Sequence, residues 1–316
     1  MAHTHINTHP KMTQYLVKRL HAFAHAPMII CDVGARGGIE PHWNAYDQQL
    51  VCLGFEPDVA ECERLNQLNQ LSSKPKVQFY TAALGRQREQ RLFSLCRLPG
   101  GSSFYPANHQ FLQRFPSEHA QALEVVKTIE LETTDLDSFA QSMKFPAIDF
   151  MKLDVEGSEL DVLKGATTVL QESVLGLSLE VLFHDALRSQ PTFSQIDLFL
   201  SSLGFKLFDL DLYRYARNTL ALPTGTLGDT RMGQVLWAQA LYLRDGVEDL
   251  QSKNLRSTKQ FAWDKTRILK LASLMEVFSL QDCAIELLQV GASQLEYDIK
   301  NLIELLLPSE LLRLSS

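Results

Sequence analysis

No apolar run in the 316 residues reaches the ~18 to 20 that a helical membrane span requires. Basic charge is also short. Lysine and arginine total 30 against 37 acids, for a formal net charge of -7, and no segment gathers a dense basic cluster. That argues against a nucleic-acid surface. Cysteine is sparse, at Cys31, Cys52, Cys62, Cys96 and Cys283, with no C-x-x-C pair among them. An odd, scattered set argues against a disulfide framework and fits a reducing, cytoplasmic setting. The N-terminal segment carries no signal-peptide core, and its His3, His5 and His9 read as a disordered start rather than a metal site. No fixed-period repeat is visible. What remains is ordinary globular composition, 45% apolar and 21% charged, in a chain long enough to bury a sizeable core.

Against that background one stretch stands out. Met28 to Val33 is an apolar run of the kind that forms a strand buried on both faces, and it ends in Asp32-Val33-Gly34-Ala35-Arg36-Gly37-Gly38. A glycine-rich turn after such a strand lets backbone N–H groups approach a ligand that a Cβ would block. Leu50 to Phe55 repeats the apolar pattern and ends in Glu56-Pro57-Asp58. An acid about 20 residues past a glycine turn is where nucleotide-type α/β folds hold a ribose.

The rest of the chain extends this pair. Residues 12–26, with Met12, Tyr15, Leu16, Leu20 and Phe23 on one face, predict a leading helix ended by Pro27. Asp58 to Leu71 predicts a second helix, facing inward through Val59, Cys62, Leu65 and Leu68, and Lys76 to Ala83 a third strand. Residues 89–131 read as an insertion beside the ligand cleft, with strands at Arg91–Leu95 and Glu124–Leu131 and a short helix within Ala107–Phe115. Thr134 is the expected cap of a helix over Asp135–Met143. Ala147–Leu153 is the fourth strand and Leu160–Leu170 a helix. Leu175–Phe183 is the fifth strand, and Phe193–Leu203 a helix stopped by Gly204. Phe205–Leu212 and Val235–Leu243 predict an antiparallel pair across a loop at 218–234. Helices alone follow, over Trp263–Leu274, Gln281–Val290 and Tyr297–Leu306. The expected fold is α/β, a doubly wound, mostly parallel seven-stranded sheet with a C-terminal helical appendage. The expected divisions are an N-terminal helix at 1–27, the sheet domain at 28–246 and the extension at 247–316.

Polar groups gather at the predicted carboxyl ends of the strands: Asp32 and Gly34, Glu56, Ala83 and Leu84, Asp154 and Glu156, then His184. Open parallel sheets bind ligands there. The glycine turn lacks the first glycine of G-x-G-x-x-G, and Asp32 stands in its place. A carboxylate repels a pyrophosphate and attracts a sulfonium, which favours S-adenosylmethionine over NAD.

In order along the chain, D-V-G-A-x-x-G at Asp32–Gly38, F-E-P-D at Phe55–Asp58, A-A-L-G at Ala82–Gly85, T-x-L-D-S-F at Thr134–Phe139 and D-F-M-K-L-D-V-E-G-S-E at Asp149–Glu159 resemble the FkbM-type methyltransferases. The resemblance spans about residues 28–212 and leaves both ends uncovered. It implies a Rossmann-like class I enzyme that uses S-adenosylmethionine, mostly for O-methylation. It also implies cofactor contacts at Asp32, Gly34, Arg36, Gly37, Glu56, Pro57, Ala83, Leu84 and Asp154. Within that set Asp32, Gly34 and Gly37 would line the methionine end, Glu56 hold the ribose, and Ala83 and Leu84 flank the adenine. Asp154 and Glu156 would face the methyl group and the substrate. Arg36-Gly37-Gly38 departs from the family, which more often has Asn and a single glycine.

Methylation of a hydroxyl needs alignment and removal of a proton. The candidate bases are Asp154, Glu156, Glu180 and His184, with Lys152 orienting Asp154. Lys152, Asp154 and Glu156 share one side if the extended run continues. A divalent ion on Asp154, Glu156 and His184 is a secondary option, since oxygen-rich sites suit magnesium. Three functions remain open at this point. They are an O-methyltransferase acting on a sugar or small metabolite, an NAD-type oxidoreductase, and a non-catalytic cofactor-binding module acting through its helical tail. Phe104, Tyr105, Phe111 and Phe115 either stack on the acceptor or pack the insertion. A homodimer formed through the tail is a further expectation.

Overall fold

The computed structural model describes residues 5–70, 76–115, 117–218, 233–251 and 261–307. In chain order its first half contains α1 (Lys11–Lys18), β1 (Met28–Val33), a 3-10 segment (Pro41–Gln49), β2 (Leu50–Phe55), α2 (Val59–Gln70), β3 (Lys76–Tyr80), β4 (Ala83–Leu84), β5 (Glu89–Cys96), α3 (His109–Leu112), α4 (Ser117–Ala122), β6 (Val125–Thr134) and α5 (Leu136–Met143). There follow β7 (Phe150–Leu153), α6 (Glu159–Lys164), α7 (Thr167–Glu172), β8 (Gly176–Leu182), α8 (Phe193–Ser202), β9 (Phe205–Tyr215), β10 (Gln234–Arg244), α9 (Gly246–Gln251), α10 (Lys265–Val277), α11 (Gln281–Val290) and α12 (Ile299–Leu306).

Seven strands form one sheet in the order β3-β2-β1-β7-β8-β10-β9. The pairs β1–β2, β2–β3, β1–β7 and β7–β8 are parallel, and β10 runs antiparallel to both β8 and β9. The chain leaves β1 toward β2 on one side and returns to it through β7 on the other. A crevice must open at such a reversal, outside the carboxyl ends of the two strands.

Alternation along each strand splits the interior in two. Met28, Ile30, Leu50, Cys52 and Phe150 point to one face, where they share a core with α1, the 3-10 segment and the helices after 246. Ile29, Cys31, Val33, Leu53, Phe55, Met151 and Leu153 point to the other, against α5 to α8. The tail is therefore one of the two helical layers on the sheet. Every residue from Ile268 to Val277 is buried. Lys270 Nζ lies 2.6 Å from Asp149 Oδ2, both buried, and also donates to the Pro27 carbonyl. The Glu276 carboxylate accepts the Met12 and Thr13 N–H groups and the Thr13 hydroxyl, so a residue of α10 caps α1. Apolar residues of α10, α11 and α12 join this core.

Several expected boundaries move. The leading helix stops at Lys18, and His21 takes a positive φ of 49°, so residues up to Pro27 form turns. On α2 Cys62 and Leu65 are buried, but Val59 and Leu68 are 57% and 54% exposed. Asp135, not Thr134, caps α5, accepting from Ser138 N at 2.8 Å; Thr134 is the last residue of β6. The fourth core strand begins at Phe150 rather than Ala147. The helix expected over 160–170 is two helices, parted at Gly165, where a Cβ would stand 2.1 Å from the Gly85 carbonyl oxygen. β9 runs on to Tyr215, and α9 lacked a clear apolar period. The predicted loop at 218–234 falls mostly outside the described residues. No helix among the described residues is long and apolar enough to cross a membrane.

Candidate active site

The glycine turn after β1 is built for close packing. Gly34 has φ 82°, and a Cβ there would lie 2.0 Å from the Asp154 carbonyl oxygen. Only glycine lets the ends of β1 and β7 approach so closely. Four of the turn's amides bond within the protein. Gly34 and Ala35 both donate to the Phe55 carbonyl at 3.0 Å, Gly38 to the Ala35 carbonyl, and Gly37 to Glu61 Oε1. Those four N–H groups are therefore engaged within the protein, and Gly34 shapes the crevice wall by its lack of a side chain.

Glu56 follows β2 and is 3% exposed. Its Oε1 accepts from Asp58 N at 2.8 Å and lies 3.4 Å from Arg36 Nη2. Its Oε2 has no partner among the described residues. Arg36 Nη2 also donates to Asp58 Oδ2 at 2.8 Å, and Asp58 Oδ1 caps α2 through the Ala60 and Glu61 N–H groups. Asp58 thus takes the capping task, leaving one edge of Glu56 open. Burial raises the Glu56 carboxyl above its usual range, against the Asp58 amide and Arg36.

Asp32 lies inside β1, not beyond it, and is 3% exposed. It pairs in register with Lys152 of β7. Lys152 Nζ stands 3.4 Å from Asp32 Oδ1 and 3.3 Å from Asp154 Oδ2. Burial pushes Asp32 up to about 6, with Lys152 opposing. Burial alone would lower Lys152; Asp32 and Asp154 hold it above its usual value instead. Asp154 is penalised by burial, yet the Lys152 ammonium brings it below the ordinary carboxylate range. The row Asp32–Lys152–Asp154 is a support beneath the crevice. Of the three only Asp154 lines it.

The extended run does not continue to Glu156. That residue turns into the left-handed region at φ 52°, followed by Gly157 at 92°. Glu156 leaves the row and lines the crevice. Its carbonyl accepts from Ser103 Oγ at 2.6 Å. Glu180 lines the same wall from β8, one residue past the Leu153–Leu179 register pair and so beside Asp154. Neither carboxylate has a hydrogen-bond partner among the described residues. Burial, then Asp154 and Glu159, push Glu156 up to about 8. Burial, then Glu156 and Asp154, hold Glu180 well above its usual value. Glu159 accepts from Val155 N at 3.0 Å and burial carries it to about 7.

His184 is not in the crevice wall. Its Nε2 is 2.7 Å from Gln234 Nε2 and its ring stacks on Phe111, centroids 5.8 Å apart. Among the described residues no three His, Cys, Asp or Glu side chains are grouped to hold a metal, and Asp154, Glu156 and His184 are not such a group.

A second sheet, ordered β4-β6-β5, roofs the crevice. Alternation sends Phe93 and Leu95 of β5 and Ile129 and Leu131 of β6 into it, while Leu92 is 65% exposed on the far side. Arg91 and the Tyr105 hydroxyl both reach Asp161 Oδ2, at 2.9 and 2.8 Å, and fasten the roof to α6. Of the four aromatics singled out in the insertion, Phe104 lines the crevice. Tyr105 is a fastener, while Phe111 and Phe115 pack smaller clusters elsewhere. The crevice has a volume of about 940 Å³. Arg36, Glu56, Pro57, Ala83 and Leu84 edge one end, and Asp154, Glu156 and Glu180 the other. Gly34 also borders it; Gly37 does not. The roof residues went unnamed in the sequence, although the alternation of Phe93 with Leu95 and of Ile129 with Leu131 was there to be read.

A mostly parallel seven-stranded sheet carrying an acid-edged cavity at its strand reversal is the architecture of the class I methyltransferases. The family model of the methyltransferase FkbM domain matches residues 32–207, more than half of the chain, and the chain belongs to that family. Among solved structures it is similar to a methyltransferase FkbM from Methylobacillus flagellatus KT, at 14% identity and TM-score 0.38. That match covers 69% of this chain but 43% of the other, so the chain spans less than half of that relative's length. It is also similar to magnesium protoporphyrin IX methyltransferase from Synechocystis PCC 6803 with bound SAM, at 12% identity and TM-score 0.33, covering 75% of this chain and 80% of that one. A SAM-dependent methyltransferase from Methanosarcina mazei matches at 8% identity and TM-score 0.32, over 71% and 96% of the two chains. No curated protein matches the sequence.

Proposed function

We propose that this chain binds S-adenosylmethionine in the roofed crevice and transfers its methyl group to a hydroxyl oxygen of a sugar or another small metabolite. The observation that carries the reading is the division of one cavity of about 940 Å³ into an end around Glu56 and an end around Asp154, Glu156 and Glu180. Its size is at the upper end of the range for ligand pockets, roughly 300 to 1,000 Å³. The residues fit the group. Glu56 offers its open Oε2 to the ribose hydroxyls, and Pro57, Ala83 and Leu84 offer an apolar seat to the adenine. The acids at the far end suit a sulfonium better than a pyrophosphate.

Bound S-adenosylmethionine supplies an activated methyl group. The chain's part is to bind, orient and exclude water. Asp154, held by Lys152, would face the donor's charged end, and the apolar roof would strengthen each charge interaction beneath it. Glu156 and Glu180 lie where an acceptor's hydroxyl proton can be taken.

Calorimetric titration tests the cofactor. S-adenosylhomocysteine is expected to bind at micromolar concentration and NAD not to bind. Charge-assisted hydrogen bonds are worth roughly 1.5 to 3 kcal/mol each, so Glu56→Ala should weaken binding at least about tenfold. Glu56→Gln keeps an acceptor for the Asp58 amide and separates ribose contact from capping. Binding of NAD instead would overturn the reading.

A further inference from the structure

Glu156 and Glu180 are two carboxylates in one enclosed wall, one from the turn after β7 and one from β8, and neither has a hydrogen-bond partner among the described residues. Among the described residues no cation is left free to face them. Lys152 is divided between Asp32 and Asp154. Glu40 adds a further negative charge near Lys152. Asp154 and Glu159 add negative charge on the turn itself, and opposite Glu180 in register stands the neutral Gln239. Burial raises Cys96 of the roof and Tyr215 of β9, with Glu156 adding to the first and Glu180 and Glu156 to the second, so neither carries a charge at neutral pH. Like charges in one desolvated site cannot both ionise freely, and they titrate as a pair.

We propose that Glu156 and Glu180 act as a proton-holding pair that gives up a proton when the positively charged methyl donor binds and regains one from the acceptor as the methyl group is transferred. The proposal rests on the S-adenosylmethionine reading above. A cation within about 4 to 6 Å lowers a carboxyl pKa by roughly 1 to 3 units. That is enough to discharge a group standing at about 8 when the solution is near neutral. The pair is then a base only while the donor is loaded.

The transfer step balances. The acceptor O–H proton passes to the pair, and the oxygen's electrons form the new C–O bond. The C–S bond breaks, and its electron pair stays on sulfur, which becomes a neutral thioether. One positive charge is lost from sulfur as one negative charge is lost from the pair, so the buried site keeps its total charge. The reprotonated pair no longer attracts the neutral product.

The test needs no acceptor. S-adenosylmethionine and S-adenosylhomocysteine are titrated into the protein near neutral pH in buffers of differing ionisation enthalpy, which reads protons released per ligand bound. The methyl donor is expected to release roughly one proton more than the neutral product. Glu156→Gln and Glu180→Gln should each reduce that difference and the double variant remove it, with S-adenosylhomocysteine affinity showing that the variants are folded. His184→Gln should leave it intact. Equal proton release by the two ligands, or a difference surviving in the double variant, overturns the pair while leaving the cofactor reading in place. If neither ligand binds the wild-type chain, the cofactor reading falls and the pair falls with it.

Discussion

Gly34 and Gly37 both take left-handed backbone, at φ 82° and 86°, yet they are not equivalent. Around Gly37 there is nothing within 4 Å of where a Cβ would be, so an alanine meets only the backbone penalty. That costs about 1 to 2 kcal/mol. At Gly34 the same Cβ would overlap the Asp154 carbonyl at 2.0 Å and force β1 and β7 apart at the cavity floor. We expect Gly37→Ala to lose about 1 to 2 kcal/mol in urea unfolding and keep ligand binding, and Gly34→Ala to lose roughly twice that or more and abolish binding. Equal losses would mean that the close approach is not what fixes glycine at 34. The sequence pointed to both glycines but could not rank them, because the atom that distinguishes them belongs to a residue 120 positions away (34 against 154).

At the scale of elements, period and composition located most strands and helices but not their addresses. β1 was legible because six consecutive buried positions leave no alternative. The roof was legible as two strands but not as a wall, since alternation shows that a strand has an inner face without showing what lies under it. Glu56 could be read from its distance past the glycine turn; the Arg36 bridge to Asp58 could not, because it depends on how two turns face each other. The tail was the least legible. An amphipathic helix shows that it has a partner and is silent on which. The structure supplies the answer in the buried Lys270–Asp149 pair, which pins α10 to the start of β7. Removing one partner of such a pair strands the other charge, at a cost of about 3 to 5 kcal/mol. Lys270→Met should show that loss in denaturant unfolding. A change below about 1 kcal/mol would place the tail's attachment in apolar contact alone.

Over the whole molecule, several acids in and beneath the crevice have pKa values above the ordinary range, although Asp154 lies below it. Burial raises Asp32 to about 6, Glu159 to about 7 and Glu156 to about 8. A raised carboxyl favours the folded state while protonated. Its contribution is complete below the unfolded value, 3.8 for the aspartate and 4.5 for the glutamates, and is lost as pH rises through the folded value. The ligand-free protein should therefore melt at progressively lower temperature as pH climbs from about 5 to about 9, with Glu156→Gln flattening the upper part of the curve. A melting temperature constant across that window would contradict the burial of these groups.

The cap that joins Glu276 to Met12 crosses 264 residues. It sets an order on the making of the protein. α1 leaves a ribosome long before its buried partners Ile268 to Val277. Until they arrive, the sheet face bearing Met28, Ile30, Leu50 and Phe150 has α1 and the 3-10 segment against it but lacks the cover of α10 and α11. Contacts so remote in sequence slow folding. In that interval the growing chain presents apolar sheet surface to its surroundings, and a chaperone that shields such a face would act on this protein while it is still being translated.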